Sequence, residues 1–146
     1  STEEPNEDYL LPFGKANYIV HGEDLTIICW GAMVQKSIDA IHELGLGEDS
    51  VEVIDLRTLN PIDYETIEHS LSKTGKILVV YEDNLTNGPG SEICSVITDK
   101  YFDLLDGPVR RIASKDSPIP YNWFLEEKVL IQVEDIARAI NDLLEY

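Results

Sequence analysis

Residues 51–63, which read VEVIDLRTLNPID, decide the fold of this chain. Their first half is an almost continuous apolar run and predicts a buried strand over 51–56, because strands of a parallel sheet are covered on both faces. A turn that contains Pro61 follows, and Asp63 is placed to cap the next helix. A strand that passes through a tight turn into a helix is the repeating unit of an α/β protein.

The rest of the chain repeats this alternation of strand and helix. Further strands are predicted at 25–30, 76–81 and 109–113. A helix follows each of the four strands, and Phe102 is expected to face inward from the third helix. The four helices are predicted at about 33–44, 63–71, 91–105 and 134–144. This alternation predicts a three-layer α/β/α sandwich with a mostly parallel sheet.

Composition limits the domain organisation and the partners. The segment 1–8 is acidic and contains no base, which predicts a linker or tail, and 9–146 are expected to form a single domain cut from a longer polypeptide. The net charge of −17, with 28 acidic against 11 basic side chains, argues against nucleic acid as a partner. The acidity either serves solubility alone or also attracts a basic partner.

No apolar run approaches the ~20 residues of a membrane span, and Cys29 and Cys94 are expected to be reduced thiols.

Polar residues at the ends of two predicted strands are the first candidates for a functional site. Asp55 and Arg57 end the strand quoted above, and they are expected to pair with each other, to cap neighbouring turns or to line a shared interface. Glu82 ends the next strand and is the best candidate for a functional carboxylate, although no acid–base partner is identified for it.

Three aromatic residues, Tyr121, Trp123 and Phe124, are the second candidate. They follow two prolines and are expected to form either a lid over the core or an anchor at a protein interface. The loop 87–91, NGPGS, favours a structural connection over an anion site, because acidic residues flank it and it lacks a Walker lysine. The histidines lack metal or triad spacing, so no catalytic, cofactor-binding or metal-ligating residue is predicted.

Motifs spread along the chain resemble one known family. The segments 11–16 (LPFGKA), 30–34 (WGAMV), 53–61 (VIDLRTLNP) and 116–121 (DSPIPY) are similar to segments of the carboxy-terminal domain of the beta component of thiamine-diphosphate-dependent 2-oxo acid dehydrogenases. The resemblance extends from about residue 9 to the end of the chain. Tyr81 departs from it, since the family often has His there, and no role of that His is carried over.

The resemblance implies a place in a holoenzyme that decarboxylates a 2-oxo acid, of the pyruvate or branched-chain type, on thiamine diphosphate and acylates a lipoyl group. The cofactor and its magnesium would lie between other domains, so this domain is expected to hold no cofactor and to be inactive alone. The implied partners are the other dehydrogenase domains or the alpha component, a basic subunit-binding module of the acyltransferase core, and further copies of the chain. The bacterial cytoplasm or the mitochondrial matrix is the implied location.

Three other interpretations stay open at the level of sequence. Transketolase and a related synthase share this domain, although the sequence of residues 54–61 (IDLRTLNP) favours the dehydrogenase branch. The chain would otherwise be a stand-alone flavodoxin-like nucleotide-binding module or a pure interaction domain.

Overall fold

A computed structural model describes residues 10–47 and 49–146, so the predicted acidic tail lies outside the described residues. Within that part of the chain, five strands and five α-helices follow one another, with a short 3₁₀ helix at Phe102–Leu104. The strands are β1 (Asn17–Val20), β2 (Leu25–Cys29), β3 (Val51–Asp55), β4 (Ile77–Asn84) and β5 (Arg110–Ser114). The helices are α1 (Ala32–Leu44), α2 (Tyr64–Thr74), α3 (Pro89–Lys100), α4 (Trp123–Val129) and α5 (Val133–Leu144).

One sheet in the order β1-β3-β2-β4-β5 organises the molecule. The last four strands in this order run parallel, whereas β1 adds to the edge of β3 in the antiparallel direction. Helices α1 and α5 cover one face of the sheet, and α2 and α3 cover the other. The predicted three-layer α/β/α sandwich with a mostly parallel sheet is therefore confirmed.

Alternate residues of the central strands feed two separate cores. Ile27 and Leu78 pack with α1 and α5, while their neighbours Ile28 and Val79 pack with α2 and α3. Because both faces of the sheet are covered, all five residues of β2 are buried. The sheet therefore lies between two apolar cores, one on each face.

Helix ends follow the chemistry expected from the sequence. Asp63 caps α2, and its carboxylate accepts hydrogen bonds from the backbone and the hydroxyl of Thr66 at 3.3 and 2.8 Å. Helices α1 and α2 end at Gly45 and Gly75, both in the left-handed conformation with φ of 61° and 65°.

The structure corrects four details of the sequence-based description. Strand β1 and helix α4 were not predicted, and the first predicted strand is in fact the second. The helix predicted to run to residue 105 ends at Lys100, because the backbone leaves helical geometry at Tyr101. The inward orientation of Phe102 is wrong, since the residue is 66% exposed. Among the described helices, none combines the length and apolarity that crossing a membrane requires.

Candidate functional site

The carboxyl edge of the parallel sheet positions most of the sequence-predicted candidates. The connections that follow β2, β3 and β4 each contain a residue with positive φ, namely Gly31 (60°), Arg57 (57°) and Asn87 (64°). Left-handed backbone is unfavourable for residues with a side chain, so Arg57 and Asn87 are held there by their surroundings. Such positions are frequent at functional sites.

Asp55 fixes the turn that leaves β3. Its carboxylate accepts a hydrogen bond from the backbone N–H of Arg57 at 3.0 Å, and the Arg57 side chain extends into solvent. Nearby, Thr58 accepts from the backbone of Gly14 at 3.0 Å and donates to the carbonyl of Pro61 at 2.9 Å. The predicted capping of a neighbouring turn is therefore what the structure shows. The alternative of an ion pair between Asp55 and Arg57 is wrong, because the ion pairs of the described residues do not include it.

Glu82 lies two residues before the end of β4 and is exposed. Its backbone carbonyl accepts a hydrogen bond from the hydroxyl of Ser114, which ties β4 to β5. Among the described residues its carboxylate has no hydrogen-bond partner, and no acid–base partner is brought to it. The structure therefore leaves Glu82 as a solvated carboxylate on the carboxyl edge.

An aromatic stack fills the crevice where a doubly wound sheet would bind a ligand. The chain turns in opposite directions after β2 and β4, so their carboxyl ends form the topological switch point. There the ring of Trp30 stacks on that of Tyr81 at 5.6 Å between centroids and 14° between planes. Tyr81 is fully buried, and its hydroxyl accepts from the guanidinium of Arg111 at 3.0 Å. The side chains of the domain itself thus occupy this crevice.

The glycines of loop 87–91 serve close packing at the start of α3. A Cβ on Gly88 would lie 2.2 Å from the carbonyl oxygen of Asn84, and one on Gly90 would lie 2.1 Å from the ring of Tyr81. The space that these glycines leave is already taken by protein atoms, so they do not form a cradle for a phosphate. Within the described residues, no three His, Cys, Asp or Glu side chains are grouped closely enough to share a metal ion. These residues do not fit a magnesium-bound diphosphate.

The three aromatic candidates lie on the surface at the opposite end of the sheet from β1. Tyr121, Trp123 and Phe124 are 106%, 68% and 54% exposed, and α4 buries none of its residues. Asn122 caps α4 by accepting the backbone N–H of Phe124 at 3.0 Å, and the Lys128 ammonium lies 5.5 Å from the Phe124 ring. The interpretation as a lid over the core is wrong. The alternative, an anchor at a protein interface, stays a prediction.

Sequence reasoning missed a buried carboxylate at the centre of β3. Glu52 is fully buried, and its carboxylate accepts hydrogen bonds from the hydroxyl of Ser70 and from the ammonium of Lys73, the latter at 2.6 Å. Ser70 and Thr74 both reach Thr26 on β2, at 2.6 and 2.7 Å. The sequence did contain a signal for this network. Glu52 interrupts an apolar strand, and the next helix carries polar residues three and four positions apart, at Ser70, Lys73 and Thr74. The network joins β2 and β3 to α2 and therefore holds this helix against the sheet.

The two thiols are unsuited to nucleophilic chemistry. Burial raises the pKa of the Cys29 thiol to about 12 and that of Cys94 to about 11. With these raised pKa values both thiols remain protonated at neutral pH. Since the thiolate is the reactive form, neither cysteine is an effective nucleophile.

Known proteins share the fold of this domain. The family described as "Transketolase, C-terminal domain" matches residues 14–136. The chain belongs to this family.

Curated relatives refine that class. The chain is 41% identical over 142 residues to "Pyruvate dehydrogenase E1 component subunit beta" of Cyanidium caldarium, covering 97% of the chain and 43% of the relative. It is 40% identical over 139 residues to the mitochondrial pyruvate dehydrogenase subunit beta of Dictyostelium discoideum, covering 95% and 39%. It is 36% identical over 145 residues to "2-oxoisovalerate dehydrogenase subunit beta" of Bacillus subtilis, covering 99% and 44%. The chain spans about two fifths of the length of these relatives.

Solved structures agree on the fold. A structure named "Split gene transketolase, inactive beta4 tetramer" superposes with a TM-score of 0.79 at 26% identity, covering 99% of the chain and 46% of that protein. Transketolase from Leishmania mexicana superposes with a TM-score of 0.56 at 18% identity, covering 90% and 18%, which shows the fold alone.

Proposed function

We propose that this chain is the assembly and docking domain of the beta component of a 2-oxo acid dehydrogenase. In the holoenzyme, a 2-oxo acid of the pyruvate or branched-chain type is oxidatively decarboxylated, and the acyl group is transferred to a lipoyl group. The identity of 36–41% to pyruvate and 2-oxoisovalerate dehydrogenase beta subunits, across nearly the whole chain, carries this proposal.

Thiamine diphosphate and magnesium are held elsewhere in the holoenzyme. This part of the proposal is supported by the switch point of the sheet, where Trp30 and Tyr81 stack in place of a ligand. It is also supported by Gly88 and Gly90, because the backbone of Asn84 and the ring of Tyr81 pack against these glycines and fill the space beside them. The domain therefore contributes structure to the enzyme, and alone it has no turnover.

Contacts with the rest of the dehydrogenase are proposed at the carboxyl edge. Asp55 fixes the turn that presents the exposed Arg57, and Glu82 is a solvated carboxylate on a nearby strand. A rigid backbone under an exposed charge favours interface contacts, because little side-chain and loop entropy is lost on binding. The partners proposed for this edge are the other dehydrogenase domains or the alpha component.

The acidity of the domain is proposed to attract a basic subunit-binding module of the acyltransferase core. Of the acidic side chains in the described residues, only Glu52 and Asp63 are buried, so the other acidic side chains of that part of the chain are wholly or partly accessible. Complementary charge speeds encounter and selects partners, and its effect weakens as salt screens it. Self-association is a further part of the proposal, supported by the beta4 tetramer of the 26% identical transketolase. Action in the bacterial cytoplasm or the mitochondrial matrix is also proposed, since the relatives include mitochondrial and bacterial subunits.

The alternative within the same family is a transketolase, supported by the 26% identical structural neighbour. An assay of the full beta component with its alpha component, thiamine diphosphate and magnesium separates the two. We expect decarboxylation of a 2-oxo acid and acylation of a lipoyl domain, and no transfer of a ketol group between sugar phosphates. Ketol transfer without 2-oxo acid turnover would contradict the proposal.

The role of the domain itself is tested by substitution. Arg57→Ala in the full beta component should weaken association with the alpha component while leaving the melting temperature of the 146-residue chain unchanged. Arg138→Ala is the matched control, because Arg138 is also exposed but lies on α5, with a side chain 71% accessible. Decarboxylation of a 2-oxo acid by the 146-residue chain alone, supplied with cofactor and magnesium, would contradict the assignment of an assembly role.

A further inference from the structure

A hollow of about 540 Å³ lies between α4, α5 and β5, and we call it the α4–α5 hollow. Its volume is within the ~300–1,000 Å³ that is usual for small-molecule sites. It lies apart from the switch point of the sheet, because neither Trp30 nor Tyr81 lines it. Lys115 and Lys128 line the hollow and are exposed, so a solute can reach it from solvent.

One side of the hollow is an apolar wall. Aliphatic side chains of β5, of the connection between α4 and α5, and of α5 itself form this wall: Ile112, Ala113, Leu130, Ile131 and Ala139. Ile131 belongs to the core between α5 and the sheet, and Ile112 and Ala139 pack against that core. An apolar ligand body placed against the wall would leave water, which favours binding.

The connection between α4 and α5 is held in place by side chains. Lys36 of α1 donates a hydrogen bond to the carbonyl of Ile131 at 2.6 Å. The side-chain amide of Gln132 donates to the carbonyls of Glu127 and Leu130, at 3.0 and 2.9 Å. Because these bonds exist before a ligand arrives, binding orders little additional backbone and loses little entropy.

Basic side chains gather at this hollow in a chain that has few of them. Four of the 11 basic residues line it, together with three of the 28 acidic residues, so the rest of the chain carries seven basic and 25 acidic side chains. The four basic residues are Arg111, Lys115, Lys128 and Arg138. The α4–α5 hollow is therefore a place where an anion meets less repulsion than at most of this acidic surface.

The two lysines of the hollow have no carboxylate partner within the part of the chain that the structure describes. Arg138 lies 3.6 Å from Asp135, whereas the ion pairs of the described residues include neither Lys115 nor Lys128. Carboxylates are abundant in this chain, so the lack of a partner is not caused by a shortage of them. Both ammonium groups are free to form charge-assisted hydrogen bonds with an anion.

Arg111 adds a third cation at greater depth. It is half-buried, and its guanidinium donates to two neutral oxygens, the hydroxyl of Tyr81 at 3.0 Å and the carbonyl of Leu85. Among the described residues it also takes part in no ion pair. A partly desolvated cation attracts an anion more strongly than an exposed one, because less water screens its charge.

From these observations we infer that the α4–α5 hollow binds a small organic anion, namely a carboxylate carried by an apolar body. The body lies against the aliphatic wall, and the carboxylate lies toward Lys115, Lys128 and Arg111. A polyphosphate is a poorer fit, because Glu127 and Asp142 also line the hollow and would repel several charges. An amine is a poorer fit because of the three cations. The inference does not rest on the function proposed above.

Titration of the 146-residue chain with anilinonaphthalene sulfonate tests the inference. This dye carries an anionic group on an apolar body and becomes fluorescent when it leaves water for an apolar surface. We expect one dye molecule per chain, with a dissociation constant on the order of tens of micromolar. Raising the salt should weaken binding, since the attraction is between opposite charges.

Competition separates recognition of the charge from simple attraction to an apolar surface. Octanoate should displace the dye. Octylamine and octanol carry the same hydrocarbon chain without the negative charge, and each should be less effective by about fivefold or more.

Substitutions locate the site. The double variant Lys115→Gln with Lys128→Gln keeps the length of both side chains without their charge and should weaken binding of dye and octanoate about tenfold. Lys100→Gln is the matched control, because Lys100 is an exposed lysine at the end of α3, on the other face of the sheet, and it should change nothing. Ala139→Phe adds a ring to the wall and should abolish binding by filling the hollow.

The absence of saturable binding would overturn the inference, and so would binding that the double lysine variant leaves unchanged. Displacement by octylamine as readily as by octanoate would overturn it too, because the charge would then play no part. A dye complex that survives in a folded Ala139→Phe variant would place the dye outside the hollow. Should that variant not fold, as judged by its melting curve, the double variant at two exposed positions still decides. Each of these failures would leave the assays of 2-oxo acid turnover unaffected, so the proposed function is judged separately.

Discussion

The junction of β3 with α2 and the helix α4 represent opposite ways of using side chains. At the junction, a fully buried Glu52 is bonded to Ser70 and Lys73, and every group has its partner inside the domain. On α4, large aromatic side chains are exposed and the helix buries nothing. The polar residues are inside and satisfied, whereas the apolar residues are outside and uncovered.

This inversion of the usual pattern separates stability from association. A buried charge that loses its partners destabilises the fold, so the residues of the junction are expected to control unfolding. An exposed apolar side chain contributes little to the monomer, so the residues of α4 are expected to control what the domain binds. Substitutions at the junction should therefore change the free energy of unfolding, whereas substitutions on α4 should change association.

The largest expected effect is on the junction. Glu52→Ala leaves a cavity in the core and takes the acceptor away from the buried hydroxyl of Ser70, and it should lower the free energy of unfolding by about 3–5 kcal/mol. Chemical denaturation of the chain at neutral pH measures this loss. Glu23→Ala is the matched control, because Glu23 lies 3.9 Å from the same Lys73 but is largely exposed, and it should cost less than about 1 kcal/mol. Equal losses for the two variants would remove the distinction between the regions.

A second effect sharpens the comparison within the carboxyl edge. Gly90→Ala places a methyl group 2.1 Å from a ring carbon of the buried Tyr81, so the Trp30–Tyr81 stack must shift. We expect a loss of about 2–3 kcal/mol in the free energy of unfolding. Gly47→Ala is the control, since a methyl group there meets no atom within 4 Å. A tolerated Gly90→Ala would mean that the switch point is open enough to admit a ligand.

The parts of the fold that local patterns determine were predictable from the sequence. The apolar runs at 25–30, 51–56 and 76–81 placed three strands to within a few residues, because strands covered on both faces have no polar alternation. Asp63 marked the start of α2 because its carboxylate can accept backbone hydrogen bonds, and the glycines after α1 and α2 marked helix ends because glycine readily adopts the left-handed conformation. The three-layer arrangement followed from the alternation of these elements alone.

The parts that depend on distant partners were not predictable. Strand β1 is a four-residue edge strand whose register comes from β3, more than 30 residues away, and its own pattern is weak. The buried state of Glu52 depends on residues of α2 that only the folded chain brings beneath it. Asp55 and Arg57 were assigned to the correct edge, but the choice between an ion pair and a capped turn depends on the left-handed backbone of Arg57, which no sequence pattern indicates.

A smaller effect is expected at the cap of α2, and it depends on pH. Burial alone would raise the pKa of Asp63, but hydrogen bonds from the backbone of Ala16 and from Thr66 outweigh it and hold the pKa below its ordinary value of 3.8. Asp63→Asn places an amide group where an acceptor is needed and should cost about 1–2 kcal/mol at neutral pH.

The sign of the pH dependence follows from the lowered pKa. The stabilisation by Asp63 is complete above the pKa of the unfolded chain, near 3.8, and is lost as the pH falls through the lower pKa of the folded chain. Denaturation curves should therefore show the difference between the original chain and Asp63→Asn shrinking in acid. Asp39→Asn, at an exposed position on α1, should show no such convergence. A difference that stays constant down to pH 2–3 would mean that Asp63 acts by shape and not by charge.

The smallest effect on stability, and the sharpest test of the division between the regions, is expected on α4. Trp123→Ser removes a large side chain that is 68% exposed and whose ring lies 6.0 Å from that of Phe124, measured between centroids. At concentrations where the chain is monomeric, the free energy of unfolding should change by less than about 0.5 kcal/mol, as for most surface substitutions. At high concentration, where association would add to stability, the original chain should be harder to denature than the variant. A loss of several kcal/mol already in the monomer would place Trp123 with the junction residues, and the separation between folding and binding surfaces would not hold.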